Sequence, residues 1–199
     1  EILDVIAASS KVCNYIDIPL QHITDNILKS MKRGISGDET KKLIDKIRRK
    51  IPNISIRTTL MLGYPGETDK DFDELYDFVK KYKFDRLGVF TYSAEEDTFA
   101  NTLNDDVPQL IKQQRADKIM EIQEKISFEL NNQKIGKTFK VLFDKEEGDY
   151  FVGRTEFDSP EVDNEVLVKK HNSEIIPGNF YNVKIVKADY FDLFGQIEK

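Results

Sequence analysis

The feature that most constrains this chain is a strand–helix alternation over residues 12–92, in which each strand combines an apolar face with a polar one. Short runs rich in apolar and β-branched residues predict strands at residues 12–20, 53–63 and 85–93. Helical periodicity and capping residues predict helices at residues 24–34, 36–50 and 67–82. Strands joined through helices run parallel with right-handed crossovers. The sequence therefore predicts an α/β fold over this region.

The first predicted strand, which contains YIDIPLQH, shows the polar face most clearly. Alternation places Asp17 and Gln21 on one face and Ile16 and Ile18 on the other. Parallel strands covered by helices are normally apolar on both faces. We therefore predict part of a barrel whose interior holds a polar ligand, with a simple Asp17–Arg57 ion pair as the plainer alternative. The side chains predicted to face this interior are Asp17, Gln21, Ser55, Arg57, Thr59 and Tyr92.

The segment GYPGET, residues 63–68, connects the second strand to the next helix. Gly63 and Gly66 permit positive φ angles or a close backbone approach. The helix that begins after Thr68 offers free N–H groups to an anion, and ligands in α/β folds bind at this end of the strands. The segment is therefore predicted to contact a ligand, and an ordinary connecting turn is the alternative.

Composition excludes several classes of protein. The sequence has one cysteine, Cys13, and two histidines, which excludes an internal disulfide and any metal cluster with ligand spacing. Cys13 is interpreted as a buried thiol rather than a nucleophile. No apolar run approaches the roughly 18 residues of a membrane span. A reducing, cytoplasmic setting is expected.

A change of pattern near residue 133 predicts a second domain. Pro108 precedes a helix predicted to reach Asn132, and the residues beyond it form short strands typical of a small antiparallel, OB-like barrel. The predicted domains are residues 1–132 and 133–199. From Phe139 to Glu165 there are nine acidic residues against three basic ones. Because nucleic-acid-binding barrels are basic, a basic protein suits this barrel better than bare RNA.

Four long segments make the chain resemble a known family. They are YIDIPLQHITDNILKSMKRG, IRTTLMLGYPGETDKDFDEL, DRLGVFTYSAEEDTFA and GRTEFDSPEVDNEVLV. Together and in this order, they resemble the ribosomal protein methylthiotransferases called RimO, a branch of the radical S-adenosylmethionine (SAM) methylthiotransferases. The resemblance implies the C-terminal half of a radical-SAM barrel, which is a TIM-like (β/α) barrel, followed by a TRAM domain.

The resemblance also implies a reaction and its cofactors. A family member adds a methylthio group to the β-carbon of an aspartate in small ribosomal subunit protein 12, using SAM and two 4Fe-4S clusters. One cluster is held by a CxxxCxxC motif, which this sequence lacks and which family members place upstream of the matching segment. The uncapped apolar helix predicted at the start also suggests a piece of a longer protein. The 199 residues alone are therefore expected to hold no metal cluster and to be inactive.

Individual roles are inferred from strand parity within the matched motifs. The residues predicted to contact SAM are Gln21, Arg57, Gly63, Phe90 and Tyr92, with the Arg57 guanidinium on the SAM carboxylate. The barrel is expected to dock protein 12 through Arg154, Asp158, Glu161 and Asp163. One alternative is methylthiolation of a tRNA adenosine, as in the sister branch, although tRNA is the less favoured partner. The other alternative is a non-enzymatic binding module built on a degenerate barrel.

Overall fold

The computed structural model describes residues 2–170 and 174–198, which form two compact units. The first unit combines Glu1–Ala7 with Ile16–Gln123, and the second combines Ala8–Tyr15 with Glu124–Lys199. Across the described ranges, every helix is too short or too polar to span a bilayer. The domain boundary predicted after residue 132 stays a prediction.

Parallel strands and helices build the first unit, as the alternation predicts. Its described strands are β1 (Tyr15–Asp17), β2 (Ser55–Leu62) and β3 (Arg86–Thr91), which lie in that order in one sheet. β2 and β3 pair in parallel, with Arg57 opposite Arg86 and Met61 opposite Phe90. The helices are α1 (Ile2–Ala8), α2 (Asp25–Ser30), α3 (Gly37–Lys50), α4 (Asp69–Tyr82) and the first part of α5 (Gln109–Asn132). This arrangement is part of a (β/α) barrel.

β2 buries one face and leaves the other partly open. Ile56, Thr58, Leu60 and Leu62 each expose 1% of their surface or less. Of the residues of opposite parity, Arg57, Thr59 and Met61 are half-buried, and Ser55 at the start of the strand is buried. The observed alternation confirms the two different faces predicted for this strand.

The first strand is shorter than predicted, because Pro19 and Gln21 interrupt its regular pairing. Pro19 has no backbone N–H to donate, and Gln21 adopts a positive φ of 71°. A side chain replaces the missing backbone hydrogen bond: the Thr58 hydroxyl donates to the Ile18 carbonyl over 2.8 Å. Pairing with β2 resumes at Gln21, whose N–H donates to the Thr59 carbonyl over 2.9 Å.

Capping side chains set two of the predicted helix starts, whereas Thr24 precedes α2 without a side-chain capping hydrogen bond. Ser36 and Glu39 form a capping box at the start of α3, and Thr68 and Asp71 form another at the start of α4. The end of α2 was predicted at Gly34, and this is wrong. The helix stops at Ser30, because Lys32 adopts a left-handed conformation with φ 56°.

The second unit contains a closed barrel. Its described strands are β4 (Thr138–Glu147), β5 (Tyr150–Arg154), β6 (Val166–Lys169), β7 (Phe180–Ala188) and β8 (Leu193–Ile197), in the order β4-β5-β6-β8-β7. An odd number of strands cannot alternate direction around a closed ring, so at least one neighbouring pair must be parallel. That pair is β6 and β8. The barrel was predicted to be antiparallel, and this one pairing is the correction.

Two glycines allow the barrel interior to close. A Cβ on Gly153 would lie 2.5 Å from the Leu142 carbonyl oxygen and 2.8 Å from a Val141 methyl group. A Cβ on Gly195 would overlap a Val183 methyl group. Both positions therefore require glycine for packing, because atoms in a close-packed core have little room to yield.

Replacing Gly153 with alanine should lower the free energy of unfolding by about 1–3 kcal/mol, because the new methyl group overpacks the barrel. Gly88→Ala is the matched control in β3, since its Cβ would meet only the Thr59 hydroxyl, at an ordinary 3.8 Å. Urea unfolding followed by circular dichroism measures both. Equal stability losses in the two variants would contradict the packing explanation.

Asp71 should contribute stability that disappears in acid. Burial raises the pKa of its carboxyl, but hydrogen bonds from Thr68, Asn26 and Thr24 outweigh burial and hold the pKa below its ordinary value. A lowered pKa in the folded state stabilises the protein above the unfolded-state value of about 4, and the contribution is lost as pH falls through the folded-state pKa. Asp71→Asn should therefore reduce the loss of stability below pH 4, and Asp73→Asn on the exposed face of α4 should not.

Candidate functional site

A pocket of about 340 Å³ lies in the first unit, where all three strands end. This volume is within the range of small-molecule sites. Two residues predicted to contact a ligand, Gln21 and Tyr92, line it. The other lining residues that shape it include Met31, Met61, Tyr64 and Phe99.

Two tyrosines form the aromatic part of the pocket. The rings of Tyr64 and Tyr92 meet edge to face, with 5.4 Å between their centroids, which is a favourable geometry for aromatic pairs. Both side chains are buried. Burial raises the pKa of the Tyr92 phenol, and the nearby Asp105 and Tyr64 raise it further. A tyrosine phenol is protonated at neutral pH, so the Tyr92 hydroxyl can donate a hydrogen bond.

Gln21 lines the pocket from a strained backbone. A positive φ is uncommon for a residue that is not glycine and costs roughly 1–2 kcal/mol. The strained conformation persists because both backbone polar groups of Gln21 bond to β2. Its N–H donates to the Thr59 carbonyl, and its carbonyl accepts from the Met61 N–H over 2.8 Å. Strain of this kind occurs at functional sites, and the predicted contact of Gln21 with a ligand remains a prediction.

The rim of the pocket carries charge. The Lys32 ammonium lies 4.0 Å from the centroid of the Phe99 ring, a cation–π contact. Arg33, also at the rim, donates to the Pro19 carbonyl over 2.7 Å. Glu95 adds a carboxylate. The pocket therefore joins an aromatic interior to a rim bearing both signs of charge.

The other residues predicted to contact SAM lie outside this lining. Arg57 donates to the Asp17 carboxylate over 2.6 Å, and the two side chains are 26% and 41% exposed. The ion pair considered from the sequence is thus present. Phe90 is 63% exposed and lies beside Met61 across the β2–β3 pairing. Their predicted contacts with SAM remain predictions.

The requirement for glycine at residue 63 has a structural reason. Gly63 has a φ of 70°, and a Cβ there would overlap the Lys112 side chain, lying 2.8 Å from its Cδ. The space beside Gly63 is therefore filled by the stem of a lysine from α5. Its predicted contact with SAM stays untested.

A buried ion pair holds the turn that follows β2. The Arg115 guanidinium donates to the Glu67 carboxylate over 2.7 Å and to the Glu67 carbonyl over 3.1 Å. The same carboxylate accepts from the Gly63 N–H over 2.8 Å. His22 Nε2 lies 3.5 Å from it, and His22 Nδ1 accepts from the Thr24 N–H, which places the ring proton on Nε2, towards Glu67.

A second cation from α5 reaches the end of β3. The Lys112 ammonium donates to the Asp105 carboxylate over 2.6 Å and to the Tyr92 carbonyl over 3.2 Å. Sequence reasoning missed both Lys112 and Arg115. The sequence does contain a signal for them. Lys112 and Arg115 are three residues apart and lie on the same helix face as the apolar residues Ile119 and Ile126. This spacing predicts two charged side chains on the buried face of α5.

In the barrel, most residues predicted to dock a partner shape a loop. Asp158 is only 6% exposed and accepts from the Thr155 hydroxyl. Asp163 accepts from the Ser159 N–H over 2.8 Å, and Arg154 donates to Asp144 over 3.1 Å. Glu161 is exposed at the loop tip. The docking prediction remains untested for all four.

Within residues 2–170 and 174–198, no three His, Cys, Asp or Glu side chains are grouped so as to hold a metal ion. Cys13 is exposed, so its interpretation as a buried thiol is wrong. His171, the second histidine of the sequence, lies outside the described residues.

Two family models match the chain. Residues 1–79 match the radical SAM superfamily, and residues 135–197 match the TRAM domain. The chain is 55% identical to the ribosomal protein uS12 methylthiotransferase RimO of Christiangramia forsetii, over 98% of this chain and 44% of the relative. It is 56% identical to the protein of the same name from Cytophaga hutchinsonii, over 100% of this chain and 46% of the relative.

A solved structure gives a weaker likeness. Coproporphyrinogen III oxidase (HemN) from Escherichia coli, described as a radical SAM enzyme, is 23% identical with a TM-score of 0.47, over 60% of this chain and 27% of that one. The chain spans about half the length of the two RimO relatives described above.

Glu67→Ala should lower the free energy of unfolding by about 3 kcal/mol, because it removes the buried carboxylate bonded to Arg115 and leaves that charge only the exposed Asp69 carboxylate and the backbone carbonyl of residue 67. Glu74→Ala on α4 is the control: Glu74 forms a surface ion pair with Lys41, and such pairs contribute at most about 1 kcal/mol. Urea unfolding measures both. If the two variants lose the same stability, Glu67 does not anchor the turn.

Proposed function

Because this chain belongs to the RimO family, we propose that it is part of a SAM-dependent methylthiotransferase that modifies ribosomal protein uS12. The observation that carries the proposal is an identity of 55–56% with two RimO proteins over essentially the whole chain. The radical SAM and TRAM matches cover separate parts of it. In detail, we propose residues 1–132 as the C-terminal part of the radical-SAM barrel and residues 133–199 as the TRAM domain.

The pocket at the strand ends fits SAM in its chemistry. The Tyr64 and Tyr92 rings offer aromatic surface to a nucleobase, and the Gln21 amide can both donate and accept hydrogen bonds. The Lys32 and Glu95 charges at the rim match the carboxylate and ammonium groups of the methionine part. When bound, SAM and an iron–sulfur cluster supply the radical chemistry of the superfamily. In this proposal, the residues that line the pocket bind and orient SAM.

The cluster ligands are proposed to come from outside these 199 residues. An iron–sulfur cluster is held by several cysteine thiolates, and this sequence contains only Cys13. Two 4Fe-4S clusters are therefore assigned to the remainder of the protein. On this proposal, the 199 residues alone have no methylthiotransferase activity.

The proposed target is the β-carbon of an aspartate in uS12, and the proposed setting is the cytoplasm. The acidic residues of the barrel support a basic protein partner: nine acids and three bases lie between Phe139 and Glu165. Complementary charge accelerates encounter and selects against partners of like charge. A tRNA, whose phosphates carry negative charge, is disfavoured by the same surface.

The intact protein, with its clusters reconstituted, should add a methylthio group to uS12 in the presence of SAM, a reductant and sulfide as the sulfur source. Mass spectrometry of uS12 peptides detects the mass of the added group and locates it on an aspartate. The tRNA of the same organism, assayed in parallel, should remain unmodified. Modification of an adenosine in tRNA but not of uS12 would contradict the proposed substrate.

Gln21→Ala in the intact protein should weaken SAM binding about tenfold, which corresponds to the loss of roughly 1.4 kcal/mol, because the amide lies in the pocket. Arg57→Ala tests the more distant assignment, and an unchanged SAM affinity would exclude a direct Arg57 contact. Gln113→Ala, which removes an exposed amide bonded to Asp117 on α5, is the matched control. Equal affinities in wild type, Gln21→Ala and Gln113→Ala would remove Gln21 from the site.

A further inference from the structure

Lys112, a lysine of α5, is almost completely buried, with 2% of its side chain exposed. Its stem packs against Gly63, in the turn that follows β2. Its ammonium donates to the Tyr92 carbonyl at the end of β3 and to the Asp105 carboxylate, in the segment between β3 and α5. The same ammonium lies 4.8 Å from the centroid of the Tyr92 ring. One side chain therefore contacts three segments that converge on the pocket.

Filling space does not explain why this residue is charged. Burying an ammonium group costs free energy, and an apolar side chain of similar volume is often equally stable in such a position. A methionine has nearly the same length and could occupy the space beside Gly63. The positive charge adds the bonds to Tyr92 and Asp105 and the contact with the Tyr92 ring, so its role lies in what those interactions hold in place.

These bonds hold parts of the pocket wall. Tyr92 lines the pocket and is paired with Tyr64. Asp105 lies at the far end of the segment that begins after Tyr92, and this segment contributes Glu95 and Phe99 to the pocket. The next residue, Asp106, accepts from the Gly66 N–H over 2.8 Å. The segment is thus bound at this end both to α5 and to the turn after β2.

We propose that Lys112 is a positioning residue for SAM: its ammonium fixes the Tyr92 backbone and the wall segment around the pocket. The proposal rests on the proposed function of the pocket. Lys112 does not touch the ligand in this account. It acts through Tyr92 and through the segment that ends at Asp105. Its loss should therefore weaken SAM binding more than it changes the rate of the reaction once SAM is bound.

The test uses the intact protein with its clusters, and isothermal titration calorimetry with SAM. Lys112→Met removes the charge and keeps the stem, and Asp105→Ala removes the other half of the ion pair. Lys118→Met is the control, because it makes the same change on the exposed face of the same helix. We expect Kd for SAM to rise about tenfold in Lys112→Met and in Asp105→Ala, and to stay within twofold of wild type in Lys118→Met.

Two further readouts separate positioning from a general loss of structure. The double variant Lys112→Met/Asp105→Ala should bind SAM no more weakly than the weaker single variant, because both remove the same interaction. The KM for SAM should rise while kcat at saturating SAM changes less than threefold. Asp105 is partly exposed, with 41% of its side chain accessible, so Asp105→Ala tests the proposal even if Lys112→Met does not fold.

Two outcomes overturn the proposal, and they are distinguishable. If wild type binds SAM and both single variants bind it equally well, Lys112 does not position the pocket, and the proposed function stands. If wild type with intact clusters does not bind SAM at all, the proposed function fails and this proposal fails with it.

Discussion

The buried ion pair between Glu67 and Arg115 is the interaction on which the pocket depends. It joins residues 48 positions apart in the sequence and anchors the turn after β2 to α5. The carboxylate that accepts from Arg115 also accepts from Gly63 and faces His22. Because a buried charge is costly without its partner, this turn cannot shift without breaking several bonds together. Tyr64 extends from the turn into the pocket, so its position follows from the same constraint.

Sequence reasoning predicted the features that neighbouring residues determine. Capping boxes at Ser36 and Thr68 fixed two helix starts, because both partners lie within one turn of helix. The predicted length of β1 was wrong because Pro19 interrupts the pairing and Gln21 adopts a positive φ. That conformation is held by contacts with Thr59 and Met61 on β2, and no local pattern near Gln21 indicates it. Long-range contacts therefore decided where β1 ends, four residues before the pocket residue Gln21.

The residues of the candidate site also fall into those that the sequence predicts and those that only the fold reveals. Strand parity brought Gln21 and Tyr92 into the predicted interior, and both line the pocket. Arg57 has the same parity but precedes the end of β2 by five residues, and it forms an ion pair with Asp17. The alternation of side chains predicts which face of the sheet a residue lies on, but it does not predict how close that residue lies to the pocket at the end of the strand. Lys112 could not be found from parity at all, because its partners are defined only once α5 is placed in the fold.

The central claim is that the strand ends of the first unit bind SAM, and amide hydrogen exchange of the intact protein tests it most directly. The account predicts that saturating SAM slows exchange in residues 20–33, 61–66 and 92–100, which contain the lining of the pocket. Exchange in the barrel strands, residues 138–197, should stay unchanged. Saturable SAM binding without added protection in those three segments would contradict the claim.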